Sequence, residues 1–187
     1  MYEEVHAGAL PSILICPTIP DGDFDMPSQK QDYLLRLIQE LGRLMTEVVR
    51  LRSQGSHDAA LHTLLQAQER LFARPAQEFM ARSAEEQLRL LVIGENTPNA
   101  REKCLMYATL LTEAGHTYTA REQTALASGA YQFALHILLL TALRHPAPEA
   151  AEDRARIAAL LDLLADDQLA AEVKSLLEEF QTAGHVS

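Results

Sequence analysis

The stretch Gly55-Ser56-His57-Asp58-Ala59-Ala60-Leu61-His62-Thr63-Leu64-Leu65 returns later in the chain as Gly129-Ala130-Tyr131-Gln132-Phe133-Ala134-Leu135-His136-Ile137-Leu138-Leu139, with Gly, Ala, Leu, His, Leu and Leu in register. Each copy reads as a turn followed by a helix. Glycine accepts the left-handed backbone that reverses a chain between antiparallel helices, and a small alanine after it lets the second helix approach the first. Gly55 with Ala60, and Gly129 with Ala134, are therefore predicted to build two helical hairpins. An internal repeat of this kind points to stacked helix pairs.

Working outward, the rest of the chain keeps the helical period. Ser28 and Gln31 fit a capping box, and Leu34, Ile38, Leu41, Met45, Val48 and Leu51 follow as one apolar stripe that Gly55 closes. Ser56 is placed to cap the next helix, which Pro75 stops. Ser83 with Glu86 is a second capping box, closed by Gly94. Thr97 with Pro98 opens a helix expected to run to Ala127, with Gly115 inside it marking the close approach of a neighbouring backbone. Ala130 to His145 is apolar on nearly every side, which places it in the middle of the structure. Glu149 to Leu164 and Asp167 to Thr182 are two further helices, the last with Asp166 as its cap. The expectation is an all-α chain of about seven helices in antiparallel pairs, a helical domain over 28–187 behind an N-terminal arm over 1–27.

The repeated segment resembles the second half of a tetratricopeptide repeat: Gly55, Ala60, Leu64 and Ala67 match its pattern in the first copy, and Gly129, Ala134, Leu138 and Pro146 in the second. Tyr118 stands where the bulky aromatic of the first half is expected, while Arg121 and Glu122 depart from the pattern. Gln31 to Ile38 is similar to the opening of small uncharacterised bacterial proteins of the same helical-repeat type. The resemblance implies a short superhelix with a groove and no established activity.

The arm has a different character. Pro11, Pro17, Pro20 and Pro27 forbid a regular helix, yet Leu10, Ile13, Leu14, Ile15, Cys16 and Ile19 are apolar. An extended arm is expected, with Leu10, Ile13, Leu14, Ile15 and Ile19 contacting an apolar surface of its own chain or, in a homodimer, of a second copy.

Composition narrows the function. With 16 basic against 26 acidic residues the formal charge is −10, which disfavours direct contact with nucleic acid or anionic membranes. Apolar residues are 48% and charged residues 22% of the chain, as in folded domains. Cys16 and Cys104 lack metal-ligand spacing and read as buried thiols. No uninterrupted apolar run reaches the ~18 residues of a membrane span, and Glu3 and Glu4 sit where an export signal carries positive charge, so a cytoplasmic location is expected.

No catalytic motif emerges, so no enzyme activity, cofactor or metal is expected. Glu113 and His116 have the spacing of di-iron ligands in helical bundles, which with His136 supports an alternative reading as a ligand- or metal-binding bundle. A surface pair one helical turn apart explains the same spacing. His62 and His136 occupy equivalent repeat positions. His136 shares a helix side with Gln132 and Arg144, and these four residues are the candidate partner-binding set, expected on a polar strip facing a groove or solvent. The reading is a protein-interaction module that holds a protein or peptide.

Overall fold

The computed structural model describes residues 26–146 and 150–183. The arm contacts expected of Leu10, Ile13, Leu14, Ile15 and Ile19 lie outside the described residues, as does Cys16. Seven helices follow one another: α1 (Met26–Ser53), α2 (His57–Phe72), α3 (Ala84–Val92), α4 (Thr97–Ala120), α5 (Thr124–Arg144), α6 (Ala150–Leu163) and α7 (Ala171–Ala183), with a single 3-10 turn at Ala76–Glu78. No strand occurs among the described residues.

Most helix ends follow from the residues quoted above. Gly55 and Gly94 take the left-handed conformation, at φ +75° and +73°. Ser83 and Glu86 form the reciprocal capping box, the Glu86 amide donating to the Ser83 hydroxyl and the Ser83 amide to the Glu86 carboxylate. Four caps differ from expectation. Ser28 lies inside α1, which begins at Met26. Ser56 precedes α2, but its hydroxyl makes no capping bond. The cap of α4 is Asn96, one residue before Thr97, accepting from the Asn99 amide. α7 begins at Ala171, too far from Asp166 to be capped by it. Its opening donor at Ala170 is satisfied instead by the Gln132 side chain of α5, at 3.0 Å.

The second hairpin turns earlier than its repeat predicts. α4 stops at Ala120, and Glu122 (φ 60°) carries the reversal, with the Gln123 amide donating to the Tyr118 carbonyl. Gly129 is an exposed position inside α5, not a turn. The helix formers Ala125, Leu126 and Ala127 outweigh the ~1 kcal/mol that one glycine costs a helix. Ala60 and Ala134 are fully buried, as the hairpins require. At Gly115 the neighbour is a side chain, not the expected backbone: a Cβ there would lie 2.5 Å from Tyr131 Cδ1 and 2.8 Å from its Cζ.

Helix directions are fixed by long-range contacts. α1 packs on α2, α2 on α4, α4 on α5, and α5 on both α6 and α7. Tyr33 faces Lys103 and Arg52 pairs with Glu113, so α1 and α4 run the same way. Arg101, early in α4, donates to the His145 carbonyl at the end of α5 and to Asp153 early in α6. Hence α4 and α5 are antiparallel, while α6 runs with α4. α5 lies at the centre, with Leu135, Ile137 and Leu139 wholly buried. By length and composition α5 is also long and apolar enough to cross a membrane, which the expectation of no such run missed; 56% of its most apolar window is buried against the other helices.

Candidate functional site

α1, α4 and α6 run in one direction, and α4 borders a groove in two parts, one shared with α1 and the other with α6. One part, of about 220 Å³, is lined by Ile38, Gly42 and Met45 of α1 against Glu102, Leu105 and Met106 of α4. The other, of about 620 Å³, lies between Thr112, Glu113 and His116 of α4 and Ala159, Asp162 and Leu163 of α6, over Leu138. Thr109 and Arg156 line both parts, so the two parts adjoin there. The helical period explains this: the stripe of α4 that packs on α5 leaves Met106, Thr109 and Thr112 on another side, while His116 stands at the border, where it meets Tyr131 of α5.

The polar groups of the groove are tied down. Glu113 pairs with Arg52 at 2.6 Å, Arg156 with Glu152 at 2.7 Å, and His116 Nδ1 lies 2.9 Å from the Tyr131 hydroxyl. Burial holds His116 below the ordinary imidazole range, with Glu113 opposing and Arg52 adding to the effect. The clefts offer an apolar floor and polar edges fixed by these pairings.

The predicted binding set divides between two places. Gln132 and His136 line a second cleft between the start of α3, α5 and the start of α7, of about 790 Å³. Arg144 closes toward it by pairing with Glu85 at 2.9 Å. Gln132 there has a structural task, bonding the Ala170 amide and the Gln168 carbonyl. His136 is half-buried and held below its ordinary pKa by burial, with Glu172 and Glu85 raising it and Arg144 lowering it. His62 is exposed on α2, 3.1 Å from Gln66, and does not line this cleft. Repeat equivalence does not bring the two histidines to one surface: His62 stands on α2, and His136 on α5 lines the cleft with α3 and α7.

Glu113 and His116 are likewise separated from His136, which faces the other cleft, and no group of three ligating side chains occurs among the described residues. Cys104 is buried, bonded to Thr141, and its thiol is pushed up to about 11 by burial. Met106, Thr109, Arg156 and Leu163 of the groove were not singled out in the sequence. Their signal is weak: they fall between the buried stripes of α4 and α6, where a sequence shows only ordinary surface residues.

No protein-family model matches this chain, and no match was found among curated proteins or solved structures.

Proposed function

We propose that this chain is a non-catalytic interaction module, a short tetratricopeptide-like superhelix whose inner helices α1, α4 and α6 receive an extended peptide. The observation that carries the reading is the pair of adjoining clefts that border α4, one shared with α1 and one with α6, both helices parallel to it. In such stacks the inner helices line the concave surface that receives an extended peptide. The second helix of each pair is then α2, α5 and α7, with α3 as an insertion. The bound segment is apolar and carries little charge, since Glu102 and Asp162 edge the groove and Arg156 is already paired. The net charge of −10 supports a protein partner over nucleic acid or an anionic membrane. A cytoplasmic setting fits this reading.

The test is a peptide array probed with the intact chain, followed by hydrogen-exchange mapping of the best binders. Protection should fall on α1, α4 and α6, and Met106→Glu, which puts a charge on the groove floor, should abolish binding. Binders that protect the opposite faces of α2 and α5, or that ignore Met106→Glu, would remove the reading.

A further inference from the structure

Three hydrogen bonds beside the α4–α6 cleft fix the state of one group that lines it. The Thr119 hydroxyl lies 3.0 Å from the Gly115 carbonyl and 3.1 Å from the Tyr131 hydroxyl, which in turn lies 2.9 Å from His116 Nδ1. A carbonyl only accepts, so the single Thr119 hydroxyl proton goes to Gly115. Tyr131 must then donate to Thr119, and His116 must donate to Tyr131 through Nδ1. No other placement of the protons makes all three bonds. Burial keeps the half-buried ring neutral at pH 7.5, with that one proton. Nε2 is left with a lone pair and no partner among the described residues, on a side chain that lines the cleft.

The other polar atoms around it accept as well. The Thr109 and Thr112 hydroxyls donate to the Leu105 and Ala108 carbonyls, which leaves each only lone pairs to offer. Glu113 and Asp162 bring carboxylates. Among the lining side chains Arg156 alone brings donors, and its guanidinium pairs with Glu152. Leu138, Leu160 and Leu163 supply the apolar surface. A cleft of about 620 Å³ with such a surface and a rim of acceptors fits a large apolar group that carries a donor and no acceptor. Tryptophan is the uncharged side chain of that description, since tyrosine, asparagine and glutamine each carry an acceptor beside their donor. Lysine and arginine would bring a positive charge beside Arg156.

We propose that the α4–α6 cleft holds a tryptophan of the bound peptide, whose indole Nε1–H donates to His116 Nε2 while its ring packs on Leu138, Leu160 and Leu163. This rests on the groove reading above and deepens it by naming the residue through which the peptide is anchored. Tyr131 and Thr119 are positioning residues that act through the His116 tautomer.

The chain has no tryptophan, so a tryptophan probe reports binding by its own fluorescence without background. N-acetyltryptophanamide is titrated with the intact chain at pH 7.5, beside its N-methylindole form, which lacks the N–H. The parent should bind the first at least about tenfold more tightly, as the loss of one hydrogen bond to an acceptor left unpaired implies. His116→Asn keeps a donor for Tyr131 where Nδ1 stands and removes Nε2, so it should bind both forms alike, at the affinity of the methylated one. In the long-range proton–nitrogen spectrum of the free parent, His116 should carry its proton on Nδ1, and Tyr131→Phe should move it toward Nε2. A proton on Nε2 in the parent, equal affinity for the two probes, no saturable change in emission, or tighter binding of N-acetylargininamide in competition overturns the inference. If array peptides are then still lost with Met106→Glu, the groove reading stands and only the tryptophan anchor falls. If Met106→Glu leaves array peptides bound while His116 still distinguishes the two probes, the groove reading falls and the indole site remains.

Discussion

Replacing Gly115 by alanine should destabilise the protein, although the same change elsewhere in a helix stabilises it. On propensity alone a helical Gly→Ala gains about 1 kcal/mol. Here the added methyl meets the Tyr131 ring at 2.5 Å from Cδ1, well inside van der Waals contact. The ring cannot simply swing aside. It is buried, and its hydroxyl sits 2.9 Å from His116 Nδ1 and 3.1 Å from the Thr119 hydroxyl. Overpacking costs about 1–3 kcal/mol, and displacing the hydroxyl from its partners costs about 1 kcal/mol for each bond lost. The net expectation is a loss of about 2 kcal/mol, or roughly 4–8 °C in Tm for a domain of this size. Urea and thermal melts of Gly115→Ala should show it. In a Tyr131→Leu background the same substitution should become neutral or stabilising, since the obstructing ring is gone. A Gly115→Ala chain as stable as the parent, or an equal loss in both backgrounds, would refute the argument.

Arg101→Ala should cost about 3 kcal/mol by urea melt, because it strands the buried Asp153 carboxylate that now sits 2.6 Å from the guanidinium. Glu122→Gly should stabilise by about 1 kcal/mol in the same assay, relieving a left-handed non-glycine residue. Gly129→Ala should add about 0.5–1 kcal/mol, since nothing lies within 4 Å of its new methyl. Stability should also fall on acidification. His116, His136 and His145 all titrate below 6.5 in the folded chain because burial disfavours their charged form, so the unfolded state binds more protons. Their contribution is complete above 6.5 and is lost as the pH falls from there through the lowered folded values. Urea midpoints between pH 7.5 and 5 should therefore decline, and His116→Asn with His136→Asn should flatten the decline.

What the sequence determined by itself is the set of helices and the places where two of them must touch. Those properties are local. A stripe every three or four residues, a serine followed by glutamate, and a glycine before a second stripe each act through neighbours a turn away. Ala60 and Ala134 were legible for the same reason: an alanine among large apolar residues on a buried face marks a close approach, and both are wholly buried. The repeat misled at Gly129, because sequence register does not decide which of several competent residues reverses the chain. Glu122 does so despite its side chain, since the helix formers after it extend α5 backwards through the glycine.

Only the tertiary structure decided which surfaces face one another. Two histidines in equivalent repeat positions end on unrelated surfaces, His62 exposed on α2 and His136 in the cleft between α3, α5 and α7. Gln132, legible only as a polar residue on an apolar helix, holds the start of α7. The groove was the least visible feature, since Met106 and Thr109 of α4 and Leu163 of α6 line adjoining clefts only when the helices lie parallel. That direction is set by contacts across the fold, Arg52 to Glu113 and Arg101 to Asp153, whose partners lie far apart in the chain.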